Sequence, residues 1–473
     1  MNADVLVAEV GSTTTLVNAF TGLGTGKPRL AAQGMAPTSV LDGDVTVGLR
    51  AAVESLERAV GERVSWGSMM ATSSAAGGLR MTVHGAAYEM TVRAAREAAL
   101  GAGAVVKMVT AGRIGGTEAR EIARVRPSIV LLAGGVDYGD RETVEHNARV
   151  IASLGLEAPV VYAGNVAARE AVLEILGSEG VEVIAVGNVY PRIDELNVEP
   201  ARRAVQRVFE RHIVRAPGME KIREVVDGEV IPTPGAVLKA AELLYRAIGD
   251  LMVVDVGGAT TDVHSVTEGS EEIRRMLAAP EPLAKRTVEG DLGVFVNAAN
   301  VAERVGWETL ERELGLDARA VLERMVAARG AIPGTREEVV TVRRLARECA
   351  EVAVARHAGR VRRVYGYGGG ADVAEGRDLT AVRWIIGTGG VFTRLPGGAA
   401  ILEGVARGGA GQSPRGDALL PVSARTLVDH HYIMSSAGIL GMSAPDDALE
   451  LMRLSLARGD HPSATPDSSY HVT

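Results

Sequence analysis

Apolar residues cluster into two matching stretches far apart in the chain. Residues 5–10 (VLVAEV) form a short run of the kind that makes a buried strand. They lead into Gly11, Ser12, Thr13, Thr14 and Thr15, and residues 16–20 resume as a second strand. This predicts a hairpin whose turn is rich in small hydrogen-bond donors. From about Gly103 to Val189 the pattern changes to four strand-like runs, at 105–109, 129–132, 160–162 and 181–186, most of them separated by helical stretches. Such alternation predicts a parallel α/β sheet. The last three runs end in Gly134-Gly135, Gly164-Asn165 and Gly187-Asn188, at the carboxyl ends where open α/β sheets place ligands. Plain turns use the same residues, so both readings stay open.

Residues 191–217 read as charged and helical, and residues 231–235 (IPTPG) open a helix over 236–248. Directly afterwards residues 251–256 (LMVVDV) form another buried strand. Gly257, Gly258, Ala259, Thr260, Thr261 and Asp262 follow, and then a strand at 263–266. The opening of the chain is written again: EVGSTTTLV over DVGGATTDV keeps Val, Gly, Thr, Thr and Val, with an acid first in each. Two such hairpins, each between apolar strands, imply duplicated domains facing one another across a cleft. The expected division is a first half at 1–248 with an α/β insertion at about 103–190, and a second half at 249–458. A helix from Pro445, with its stripe Leu449, Met452 and Leu456, is expected to brace the first domain. A disordered polar tail is expected at 459–473.

The chemistry of the turns suits a polyphosphate, because small residues let backbone amides approach phosphate oxygens and hydroxyls add donors without bulk. Glu9 and Asp255, at the ends of their strands, are the candidate catalytic acids and the candidate ligands of Mg²⁺, held through its waters. A third element, Gly387, Thr388, Gly389 and Gly390 after a strand at 382–386, offers bare backbone on which an adenosine can lie.

Composition narrows the partners. A chain of 473 residues exceeds what one hydrophobic core organises. Aromatic residues are 3% against 47% hydrophobic, so the core rests on Val, Leu, Ile and Ala. A formal charge of −8 gives no reason to approach nucleic acid or an anionic membrane. Cys349, the lone cysteine, excludes an internal disulfide and any site needing several thiolates from one chain, and its helical spacing predicts a core position. Asp4 and Glu9 interrupt what would be a signal region, and the longest apolar run, 129–136, is too short to span a bilayer, so a soluble, cytoplasmic protein is expected.

The constellation resembles the superfamily of actin, DnaK-type chaperones and acetate and sugar kinases: acid-x-Gly with Ser/Thr at the start, Asp-x-Gly-Gly-x-Thr-Thr-Asp midway and Gly-Thr-Gly-Gly late. More narrowly, residues 9–20, 73–79 (SSAAGGL), 131–137, 190–197 (YPRIDELN), 289–293 (EGDLG) and 386–391 resemble the MutL/GlmL family, the accessory proteins of glutamate mutase. The resemblance implies duplicated actin-like, ribonuclease H-like halves around a nucleotide cleft, with ATP or ADP and Mg²⁺ as cofactors. It also implies a reactivating chaperone role toward an adenosylcobalamin-dependent mutase or aminomutase, from which inactive cobalamin must be pulled out. A homo-oligomer is compatible with it. Where many superfamily members carry Asp and Lys, this chain has Glu9 and Leu16, which shifts the metal geometry and removes a fixed cation, so slow hydrolysis is expected.

Other readings remain at this stage: a small-molecule kinase, a hydantoinase-like hydrolase, an iron–sulfur ATPase of the kind that activates 2-hydroxyacyl-CoA dehydratases, and a nucleotide-gated binding protein without hydrolysis. The lone cysteine speaks against the iron–sulfur ATPase. Glu289 and Asp291 suit either the nucleotide or a surface turn. His264 is expected to be packed rather than metal-bound, and the adjacent His430 and His431 are poorly placed to share a metal.

Overall fold

A computed structural model describes the chain except for residues 76–79, 214–217, 329–331, 367–368, 410–417 and 458–473. The tail at 459–473 and most of the 73–79 segment thus lie outside the described residues. The chain divides into two compact units, 1–21, 31–238 and 278–285 in the first, and 22–30, 239–277 and 286–473 in the second.

The first unit opens with β1 (Asn2–Val10), β2 (Thr14–Thr21), β3 (Arg29–Pro37) and β4 (Ser65–Ser73). Continuous burial along the second half of β1 shows why its residues are apolar in unbroken succession. The helix Val45–Val60 connects β3 to β4. Asp44 caps its start by accepting from Thr46 N, and Gly61, at φ 81°, ends it in a left-handed turn. A second sheet in this unit comprises β5 (Arg80–Gly85), β6 (Val105–Ala111), β7 (Ile129–Leu132), β8 (Val160–Tyr162) and β9 (Val183–Ala185), all in parallel pairs. The insertion sheet therefore begins upstream of the run expected at 105, with β5 between β6 and β7. The first sheet closes with β10 (Val230–Pro232), in the order β10-β4-β1-β2-β3.

The second unit holds β11 (Leu251–Val256), β12 (Thr261–Val266), β13 (Ala284–Glu289), a two-stranded β14 (Arg360–Gly366) and β15 (Gly369–Glu375), β16 (Trp384–Thr388) and β17 (Arg425–Val428). Its main sheet runs β13-β12-β11-β16-β17. By order of appearance both main sheets read third, second, first, fourth, fifth. In each, the first strand is antiparallel to the second and parallel to the fourth, and the fourth is parallel to the fifth. That order is the ribonuclease H-like, actin-like arrangement, present twice. Register repeats as well: Glu9 pairs with Leu16 and Val10 with Thr15, as Asp255 pairs with Asp262 and Val256 with Thr261.

Behind the second sheet lies the helix Arg336–His357, started by a Thr335–Glu338 capping box. Cys349 is buried on it, and burial pushes the thiol up to about 12. The helix Pro445–Leu456, with proline in its first turn, packs on β17 and on the helix Met434–Leu440 of its own unit.

Candidate functional site

The first hairpin turn closes where Gly11 N donates to Thr14 O at 2.9 Å, and a Cβ on Gly11 would sit 2.7 Å from that oxygen. Thr38 ties the turn down. Its N–H donates to Thr13 O at 3.0 Å, its hydroxyl donates to Gly11 O at 2.8 Å, and the Thr15 hydroxyl lies 3.0 Å away. Thr15 is thus a buried frame residue. Ser12 is exposed, and Gly11, Thr13 and Thr14 are half-buried, so four of the five proposed binders keep some exposure, although the N–H and carbonyl of Gly11 are used within the turn. Glu9 is buried at the end of β1, beside Leu16 on one strand and Thr72 on the other.

The second turn closes in the same way, with Gly257 N donating to Thr260 O at 2.8 Å. A pad beneath it, residues 292–297, holds the backbone: Phe295 N and Val296 N both donate to Gly258 O, and Asn297 Nδ2 donates to Ala259 O. Gly293 is bare because a Cβ there would overlap the Gly258–Ala259 backbone. Thr261 is buried and donates to Leu292 O at 2.9 Å, whereas Gly257, Gly258 and Thr260 are half-exposed. Asp262 accepts from Arg286, at 2.8 Å from Nε and 2.6 Å from Nη2, with the arginine 2% exposed. Thr260 Oγ1 is 3.5 Å from the other oxygen of Asp262. Sequence reasoning missed Arg286 because it lies 24 residues from its partner.

β11 and β16 are neighbours, and Asp255 pairs in register with Thr388. The third element divides by role. Gly387 lies inside the strand, where a Cβ would press on Phe392 and Leu402, so it serves packing. Thr388 is buried and donates to Asp429 Oδ2 at 2.9 Å; Asp429 also accepts from Ile433 N and Met434 N at 2.9 Å and from Ser455 Oγ at 2.5 Å. Gly389 has φ 84°, and a Cβ on it would collide with the Asp255 carboxylate. Gly390 faces open space. The structure therefore gathers Asp255, Gly257, Gly258, Thr260, Gly389 and Gly390 at one end of one sheet, while Thr261, Gly387 and Thr388 build the frame behind them. A half-exposed turn of small residues, with an acid at its base and a bare glycine pressed against that acid, suits a phosphorylated ligand carrying a divalent cation.

Glu289 and Asp291 are tied to Arg356, at 2.6 Å and at 2.9 and 3.1 Å, and that guanidinium holds the Asp291 carboxyl below the usual carboxylate range. His264 is fully buried, and burial drives its pKa far down. Among the described residues, no group of three His, Cys, Asp or Glu side chains is arranged to hold a metal, so a cation would need oxygens from its ligand and from water. No helix of the described residues is long and apolar enough to cross a membrane.

The family model described as MutL protein matches residues 5–456. Protein MutL of Clostridium tetanomorphum is 37% identical over 434 residues, covering 89% of this chain and 93% of that one. Among solved structures, a nucleotide-free acetone carboxylase overlaps at TM-score 0.37 and 14% identity, over 92% of this chain and 70% of the other. A nucleotide-free diol dehydratase-reactivating factor overlaps at TM-score 0.26 and 13% identity, over 68% and 76%. These overlaps are loose, and the family assignment rests on the sequence matches.

Proposed function

Because the chain belongs to the MutL family, we propose that it is an ATP-binding, slowly hydrolysing reactivating factor for an adenosylcobalamin-dependent mutase or aminomutase. The observation that carries the nucleotide reading is the pair of turns with one register, the second of which has Gly389 pressed against Asp255. In this reading the turn at 257–260 holds phosphate oxygens, and Gly389 and Gly390 leave room for the adenosine. On sequence grounds, the exposed part of the first turn, Ser12 to Thr14, takes the same ligand. Mg²⁺ would supply charge neutralisation on the phosphates. Asp255 and Glu9 are the carboxylates that would hold it through water, and Asp255 would also position the attacking water. Arg286 fixes Asp262 and so keeps the second turn in place.

Leu16 is buried at the position where many superfamily members carry lysine, so the first turn supplies no cation to the phosphates. This favours slow turnover and also supports a second reading, a nucleotide-gated binding protein without hydrolysis. The proposed location is the cytoplasm. An ATPase assay with and without cobalamin-loaded mutase separates the two readings: stimulated hydrolysis with cobalamin release supports the reactivating factor, and tight binding with no stimulation by any mutase supports the switch.

A further inference from the structure

The insertion sheet, in the order β6-β5-β7-β8-β9, is parallel throughout, so the loops that follow its strands emerge at one edge. Seven large hydrophobic residues are exposed among the described residues of the first unit, and four of them stand in these loops. They are Tyr88 after β5, Tyr138 after β7, Val166 after β8 and Ile193 after β9, at 57%, 84%, 38% and 72% exposure. One in each of four neighbouring loops makes a row rather than a scatter. With parallel strands about 4.8 Å apart, the four strands that carry these loops span roughly 15 Å, the length of a helix of about ten residues.

The loops after β7, β8 and β9 are tied to one another by hydrogen bonds. Tyr138 and Asp194 adopt left-handed backbone, at φ 62° and 60°, a conformation that non-glycine residues seldom take. Tyr138 N donates to the buried Asn165 Oδ1 at 2.9 Å, and Asp194 N donates to the Tyr190 hydroxyl at 2.9 Å. Asn165 Nδ2 also donates to Gly139 O and Asp140 O, and Asn188 Nδ2 donates to Gly135 O and Asp137 Oδ1. The asparagines at the strand ends are thus the frame, and Tyr138 and Ile193 are displayed on it. Such pre-organised aromatic and aliphatic side chains lose little entropy on binding.

Charge selects the occupant. The same four loops carry Glu89, Asp137, Asp140, Asp194 and Glu195 against Arg141 and Arg192, and both arginines already pair with glutamates, Arg141 with Glu145 at 3.3 Å and Arg192 with Glu195 at 3.6 Å. A second copy would set acids against acids, and an anionic membrane or nucleic acid would be repelled. We propose that this edge docks a protein partner presenting a short apolar stripe bordered by lysine or arginine. The inference goes beyond the nucleotide reading and does not rest on it.

The test uses the full chain without nucleotide, so that failure here and failure of nucleotide binding are seen separately. A labelled amphipathic Leu/Lys peptide of about 14 residues, a scrambled peptide of the same composition without the stripe, and a Leu/Glu counterpart are titrated by fluorescence anisotropy. The striped Leu/Lys peptide is expected to bind best. Tyr138→Ser with Ile193→Ser is expected to weaken it by about tenfold or more, because the two most exposed anchors are removed. Val166→Lys on the same row is expected to weaken it too, and gives an independent reading if the double variant melts early. Unchanged affinity in these variants, or equal binding of the scrambled peptide, overturns the proposal. So does self-association that these variants abolish, or binding confined to phosphatidylserine vesicles.

Discussion

The two hairpins share strand order, register and turn closure, yet the residues behind them differ. Behind the first turn Leu16 is buried and apolar, Thr15 meets Thr38, and Gln33 Nε2 donates to Asn18 Oδ1 at 2.6 Å, so the frame is neutral. Behind the second, Asp262 replaces Leu16 and is matched by Arg286, and His264 stands where Asn18 stood. The backbone task, a tight turn closed by the N–H of its first glycine, needs only glycine and small polar residues, and both copies keep them. The framing task has many solutions, and the copies have taken different ones. The glycine-rich element belongs to the second copy's sheet, where Gly389 meets Asp255.

The sharpest way to break this comparison is to make the second frame neutral. Arg286→Met leaves Asp262 buried without its guanidinium and should cost about 3–5 kcal/mol in thermal or urea unfolding. Adding Asp262→Leu, the residue of the first copy, should recover most of that loss. If the double variant is no more stable than the single, the pair is not the counterpart of Leu16.

Gly389→Ala should cost about 1–3 kcal/mol, because the residue is left-handed and the new Cβ displaces the Asp255 carboxylate. Nucleotide affinity should fall with it; calorimetry showing undiminished affinity would remove this loop from the site. Asp255→Asn should abolish hydrolysis while leaving nucleotide binding within about tenfold, roughly 1.4 kcal/mol, and retained turnover in a steady-state assay would sink the catalytic assignment.

The buried histidines make stability depend on pH in both units. Burial lowers His84 to about 4 and takes His264 well below its ordinary 6.5. Below pH 6.5 the unfolded chain binds protons that the folded chain refuses, so stability should fall as pH drops from 6.5 toward about 4. His264→Phe should flatten the part of that fall contributed by the second unit, as read by urea unfolding at several pH values. The smallest effect expected is Arg356→Ala. Glu289 ends β13 half-buried, but Asp291 and Arg356 itself are largely exposed, so the loss should stay under about 1 kcal/mol, with nucleotide affinity unchanged.

The duplicated hairpins were legible in the sequence because their signal is local: apolar run, glycine, small donors, apolar run. The partners that frame them were not, because they lie far along the chain, Thr38 27 residues from Gly11, Arg286 24 from Asp262 and Asp429 41 from Thr388. β5 escaped notice for another reason. Its sequence RMTVHG puts Thr82 and His84 in fully buried positions, where an apolar pattern would have announced a strand. The glycines at 387–390 read alike in sequence, and only packing separates Gly387, pressed on Phe392, from Gly390, which faces open space.

The central claim, that the paired turns belong to a nucleotide site, is tested most directly by calorimetric titration of the full chain with ATP in the presence of Mg²⁺. Micromolar binding at one site per chain, weakened by Gly389→Ala, is the predicted result. No heat of binding from ATP or ADP would contradict the account.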